Sequence, residues 1–281
     1  MKSVKSKKIL FVCTICLVLI FCLIVRHIYN GTQCFYINEY PYKDISKLIR
    51  TNNLSEDDYR TIFMQTGISP GAAKKIIHNK DFEFLEVLNK KFFQKNETYK
   101  NYIAYPITLE ERRKDDKVPM VELKKGDILV TFSTHTLDWR HGHCGLVVDE
   151  WGTRVLEHAS VGKKSNVVSS GHWRTYGNFV VLRYPDEEIA SKAADYAQDN
   201  LVGIDYSIFA GLLDKDKSDN LKDSTSHCSH IVWQAYKALG VDIDYNEGSI
   251  VTPRDIAMSD KLKVVQVLGM NVENFNDRLY K

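Results

Sequence analysis

The segment Ser226-His227-Cys228-Ser229-His230-Ile231-Val232-Trp233-Gln234-Ala235-Tyr236-Lys237-Ala238-Leu239-Gly240 puts a cysteine at the head of a helical pattern. Ile231, Val232, Ala235, Tyr236 and Leu239 fall on one helix face, and Gly240 is a stop signal. Cys228 then lies in the first turn. There, unpaired backbone N–H groups and the positive end of the helix dipole stabilise a thiolate. The same N–H groups suit the oxyanion formed when a thiolate attacks a carbonyl carbon. A cysteine at a helix start is equally compatible with inert core packing, so the chemistry needs a partner.

A thiolate nucleophile needs a base, and His135, His141, His143 and His158 supply candidates. His143 opens the apolar run His143-Cys144-Gly145-Leu146-Val147-Val148, which reads as a strand. Gly145 removes a side chain two residues on, on the same face, and leaves room for a substrate or a neighbouring backbone. The next strand, Val155-Leu156-Glu157-His158-Ala159, brings a polar group beside that histidine. Glu157 and His158 point to opposite faces, so only one of them can orient the imidazole. His227 and His230 flank the cysteine and also bear on pocket charge. A rival reading is a zinc site built from His141, His143 and Cys144 with His158 or Cys228, although the spacing follows no standard zinc pattern.

These residues need a scaffold. Strands are expected at Ile128–Phe132, Cys144–Asp149, Arg154–His158, Asn178–Tyr184 and Val264–Leu268, with a helix over about 186–201. The loop from Ser160 to Tyr176, with Lys163, Lys164, His172, Trp173 and Arg174, and the polar loop from Leu212 to Ser226 read as a substrate rim or as ordinary surface. Upstream, Ser55 followed by Glu56, Asp57 and Asp58 reads as a helix N-cap, and Gly67 as its stop. Ser69-Pro70 opens a second helix, and Phe82 to Phe93 makes a third. The phrase Thr66-Gly67-Ile68-Ser69-Pro70-Gly71 has a distant likeness to a DNA-binding hairpin loop. Residues 108–117 hold eight charged residues in ten, which suits a solvated linker. The organisation expected is a membrane anchor at 1–29, a helical accessory region at 30–107, a linker at 108–117 and a main domain at 118–281.

The chain has 281 residues, 44% of them hydrophobic and 26% charged, which excludes general disorder and leaves ample material for a core. With 38 Lys+Arg against 36 Asp+Glu it lacks the basic balance of a nucleic-acid binder. Lys2, Lys5, Lys7 and Lys8 precede the run Ile9 to Val25, 17 residues in which Thr14 alone is not apolar. With Arg26 the only charge directly behind it and no small-x-small cleavage site, this reads as an uncleaved signal anchor, the rest of the chain facing outside. A cleaved signal peptide is the alternative. Cys13, Cys16 and Cys22 fall inside the run. Cys34, Cys144 and Cys228 remain outside, an odd number that leaves at least one free thiol.

The order Gly126-Asp127, His143-x-Gly145-Leu146-Val147, Val155-Leu156-Glu157-x-Ala159, Gly203-x-x-Tyr206 and Cys228-Ser-x-Ile231-Val232-Trp233 resembles the circularly permuted NlpC/P60 papain-like hydrolases, the YiiX-like group. Permuted members place the histidine before the cysteine, as here. The resemblance covers about residues 118–270. It implies an α+β, papain-like domain with an antiparallel sheet and a nucleophile helix, working without metal or cofactor. It implies Cys228 as nucleophile, His143 as general base and Glu157 as the group orienting it. Tyr206 would contact substrate or oxyanion. The implied activity is cleavage of an amide, with peptidoglycan peptides as the substrate class and lipid or acyl amides as the alternative. A non-catalytic binding module is a further possibility. His230, two residues past the cysteine, departs from the acidic or other polar residue common there.

Overall fold

The computed structural model describes residues 2–30, 38–94, 98–104, 107–113, 116–136, 139–211 and 225–278. Cys34 and residues 212–224 of the polar loop lie outside them. The helices are α1 (Lys2–Asn30), α2 (Glu56–Thr66), α3 (Pro70–His78), α4 (Phe82–Phe92), α5 (Glu187–Asn200), α6 (Cys228–Lys237) and α7 (Pro253–Met258). The strands are β1 (Thr98–Ala104), β2 (Ile107–Arg112), β3 (Ile128–Thr131), β4 (Thr134–Thr136), β5 (Trp139–Arg140), β6 (His143–Val147), β7 (Arg154–Glu157), β8 (Asn166–Ser169), β9 (Phe179–Arg183), β10 (Asp205–Tyr206), β11 (Thr225–Ser226) and β12 (Lys263–Leu268). The class is α+β with antiparallel sheets, as expected.

The main sheet runs β12-β9-β3-β6-β7-β8, antiparallel throughout. Its central strands carry Ile128, Leu129, Val130, Leu146, Val147, Val180, Val181 and Leu182, all fully buried. Such runs are apolar on both faces because layers cover the sheet on both sides. A second sheet runs β1-β2-β4-β5, and β10 pairs with β11 in a short parallel ladder. α6 lies against β6 and against α5.

α6 differs from the amphipathic helix its spacing suggests. Every residue from Cys228 to Tyr236 is buried. Polar members survive there because each finds a partner. Ser229 Oγ donates to the Val251 carbonyl at 2.8 Å, and Ser226 Oγ joins His230 Nδ1 and Gln234 Oε1 at 3.0 Å. The Tyr236 hydroxyl donates to the Gly126 carbonyl at 2.5 Å and fastens the far end of α6 to the turn before β3.

The upstream helices obey their local signals. Ser55 and Asp58 form a reciprocal capping box, and Gly67 ends α2 at φ 72°. These helices share one hydrophobic core with the main sheet: Ile62, Phe63, Ile68, Leu85 and Leu88 pack in the same cluster as Val264 and Val267. The loop with a distant likeness to a DNA-binding hairpin spends its backbone on β12. Ser69 N donates to Val265 O at 3.0 Å, and Val267 N donates to Gly67 O at 2.8 Å.

Two expectations need correction. The stretch 30–107 is not wholly helical, since it contains β1. The charged stretch 108–117 is not a solvated linker, since residues 107–112 form β2, paired to both β1 and β4. Its charges are neutralised in place: Arg140 Nη1 donates to Glu110 at 2.9 Å, and Arg112 lies 3.8 Å from Asp116. Among the described residues no helix is long and apolar enough to cross a membrane. Side chains of α1 are described continuously from Phe11 to Ile24, all exposed. The anchor therefore rests on the sequence pattern.

Gly67 is where helix stop and sheet edge meet. A Cβ there would lie 1.9 Å from the Val267 carbonyl oxygen, at a φ that side chains rarely adopt. Gly67→Ala is expected to lower unfolding free energy by about 2–4 kcal/mol in urea titration. Gly71→Ala, where nothing lies within 4 Å, is expected to be neutral or mildly stabilising. Equal midpoints for the two variants would contradict the packing of the helical region on β12.

Candidate active site

Cys228 is the first residue of α6, 8% exposed, with His227 as N-cap. His143 opens β6 opposite Thr131 of β3, and Glu157 closes β7 opposite Gly145. Residues opposite one another in an antiparallel pair share a face. His143, two residues from Gly145, is therefore the diagonal neighbour of Glu157, within reach of a long side chain. The register thus selects Glu157 over His158. His143 Nε2 faces Glu157 Oε2 at 3.5 Å, which leaves Nδ1 for the sulfur.

The charge states follow from this geometry. Burial alone would push the Cys228 thiol up, but His143 and then His227 beside it pull it well below the ordinary thiol value. Burial would likewise depress His143. Its hydrogen bonds with Cys228 and Glu157 win, and raise it to about 10. Burial opposes ionisation of Glu157 too, yet His143 and His172 hold it down at about 2. At neutral pH the site is a thiolate–imidazolium pair backed by a carboxylate.

The backing extends to two residues that the sequence placed only in a rim loop. In the 3-10 helix Ser170–Thr175, His172 Nε2 lies 2.9 Å from Glu157 Oε1, and Trp173 Nε1 donates to the same oxygen at 2.5 Å. His172 Nδ1 faces the Ser169 carbonyl at 2.6 Å. Both ring nitrogens meet acceptors, so this ring carries two protons. Burial would lower its pKa, but the Glu157 hydrogen bond raises it. Trp173 is fully buried and stacks on His143 with ring centroids 5.6 Å apart and planes at 14°. Gly145 makes this possible: a Cβ there would sit 2.5 Å from a Val155 methyl and 3.0 Å from the Trp173 ring. The space left by Gly145 is filled by the indole rather than kept for substrate. The missing side chain at Gly145 was the only signal for such a ring.

The other candidates fall elsewhere. His135 lies in the second sheet, 3.6 Å from Glu110. His141 is near the site but uses both nitrogens locally, at 2.9 Å each, on Thr136 Oγ1 and the Gly142 carbonyl. His158 is fully buried, with Nε2 3.3 Å from the Lys163 carbonyl and its ring edge-on to Tyr206 at 4.9 Å. His230 stacks on Trp233, centroids 5.4 Å apart. Cys144 is fully buried and burial pushes its thiol well up, so it is a core residue. Among the described residues no group of three His, Cys, Asp or Glu is arranged to hold a metal ion. Tyr206 does reach the site: β10 pairs with β11 in the register Tyr206 to Ser226, two residues before the nucleophile. Burial, then the nearby Cys228 charge, raises its phenol pKa, so it stays protonated as a donor.

Alkylation by iodoacetamide reports the thiolate directly. Cys228 in the wild-type chain is expected to keep its full rate down to about pH 6, where an ordinary thiol is nearly unreactive. Reactivity is lost as pH falls through the depressed Cys228 pKa. Glu157→Gln removes support from the imidazolium and is expected to move that acid limb up by about one to three pH units. Peptide mapping separates Cys228 from Cys144 and from Cys13, Cys16 and Cys22. An unmoved limb would remove Glu157 from the network.

Searches with the chain matched no family model, no curated protein and no solved structure.

Proposed function

We propose that the protein is a thiol hydrolase that cleaves amide bonds through Cys228, His143 and Glu157. One observation carries this reading: the cysteine at the head of α6, the histidine on β6 and the carboxylate on β7 converge on one buried charge network, although they lie far apart in the chain. A structural cysteine gains nothing from such a network, whereas a nucleophile needs each part of it. Cys228 Sγ attacks the carbonyl carbon, and the amine leaves with the proton carried by His143. Water, deprotonated by His143, then hydrolyses the thioester. Glu157 holds the ring orientation and stabilises the imidazolium.

The basic head and apolar run at the N-terminus support a single-pass chain whose main domain lies outside the cell membrane. In that place peptidoglycan stem peptides are the abundant amide pool, and the resemblance to permuted NlpC/P60 hydrolases points the same way.

A second reading, hydrolysis or transfer of lipid-linked acyl groups, is favoured by a separate observation. Val161, Val202, Ile208 and Phe209 are 44–63% exposed on the loops around Tyr206. Ser165 ties those loops together through its bonds with Gly203 and Ile204. An apolar rim of this kind suits an acyl chain better than a muropeptide.

Incubation with a panel of muropeptides and lipid amides, read by mass spectrometry, tests both. Wild-type chain is expected to cleave one class, and Cys228→Ala to lose all turnover with unfolding free energy changed by no more than about 1 kcal/mol. Full activity in that variant would reject the nucleophile. Cleavage of muropeptides alone would reject the acyl reading.

A further inference from the structure

Building on the thiol-hydrolase reading, we infer that His227 is a catalytic residue, its Nε2–H supplying a hydrogen bond to the oxyanion formed on the substrate. His227 caps α6: its Nδ1 accepts the N–H of His230 at 3.4 Å. Ser229 Oγ approaches the same Nδ1 at 3.4 Å while donating to the Val251 carbonyl at 2.8 Å. A ring nitrogen that accepts a backbone N–H carries no proton of its own, so the proton of the neutral ring sits on Nε2. That nitrogen is buried and has no partner of standard hydrogen-bond geometry among the described residues. The residue as a whole is 6% exposed. A buried N–H without an acceptor is costly, a cost that makes sense where an acceptor arrives during function.

The place fits. The ring lies beside Cys228, whose ionised form it favours. Cys228 is the first helical residue, so its own N–H has no acceptor within α6. When Sγ bonds to the carbonyl carbon, the π pair moves onto the carbonyl oxygen. That oxygen, next to the sulfur, then meets two donors, the Cys228 N–H and His227 Nε2–H. On collapse the pair returns, the carbon–nitrogen bond breaks, and the amine takes its proton from His143.

Three histidines around one sulfur thus have separate tasks. His143 carries the mobile proton, His172 stands behind Glu157, and His227 donates to the oxyanion. Tyr206, a protonated phenol on the adjoining strand, remains available for the rest of the substrate.

The test separates oxyanion stabilisation from thiolate formation. His227→Ser and His227→Thr keep an oxygen that caps the helix and remove the Nε2 donor. Acylation is read as the nitrophenolate burst from p-nitrophenyl acetate with the full chain. Thiolate reactivity is read as the plateau rate of iodoacetamide alkylation at Cys228, a displacement that builds no oxyanion. The expected result is a burst about 10²-fold slower with the alkylation plateau within twofold of wild type. A burst that slows only in proportion to alkylation, or does not slow, overturns the role for His227 and leaves the nucleophile standing. A wild-type chain that alkylates at Cys228 without any burst overturns the thiol-hydrolase reading and this role with it.

Discussion

Cys228, His143 and Glu157 meet in the interior of this protein as one buried charge network with the imidazole between, and the architecture answers to that constraint. Each of these charges costs several kcal/mol to bury alone. Together, with His172 as a second imidazolium, they sum to zero. Removing the carboxylate leaves the imidazolium uncompensated in a region of low dielectric, whereas without the sulfur charge the imidazole can release its proton. The placing of Cys228 and His143 on different elements therefore matters more than either residue's own propensity. α6 is fixed at one end by His227 as N-cap and at the other by the Tyr236 hydroxyl. β6 is fixed between β3 and β7 in the middle of the sheet.

The Glu157 carboxylate shows how tightly the surroundings are specified. Its two oxygens take His143 on one and His172 with Trp173 on the other. Trp173 also lies flat on the His143 ring, so one side chain limits both the carboxylate and the imidazole. Such support restricts the motions that would break the ion pair, as preorganised sites require. The glycine at 145 is a consequence, since the indole occupies the volume a side chain would take.

How much of this the chain discloses before folding depends on the range of the interaction. Local signals are readable: Ser55, Gly67 and Pro70 mark helix ends, and the apolar runs around Ile128, Leu146 and Val181 mark strands. Cys228 at a helix start and His143 at a strand start follow from the same short-range rules. The choice between Glu157 and His158 does not, because period two places them on opposite faces without saying which face meets His143. Only the register of β6 against β7 decides that. The inward turn of His172 and Trp173 has no local signal either, since a polar loop with basic residues looks the same in solvent or folded onto a carboxylate. The strand over 107–112 is hidden for a related reason: its charges resemble a linker until Arg140 arrives from elsewhere in the chain to pair with Glu110.

Chain order imposes no limit on this chemistry. A nucleophile and its base need a separation near that of a hydrogen bond and a fixed angle, and neither depends on which comes first in the sequence. Here the histidine strand precedes the cysteine helix. Between them run β7, the loop that folds Trp173 inward, β9, α5 and the β10 strand bearing Tyr206. The carboxylate, the two side chains behind it and Tyr206 are thus drawn from the connection joining His143 to Cys228. That connection also carries the exposed Val161, Val202, Ile208 and Phe209. On the proposed reading, the segment that backs the Glu157 carboxylate also presents the apolar rim, and changes in one bear directly on the other.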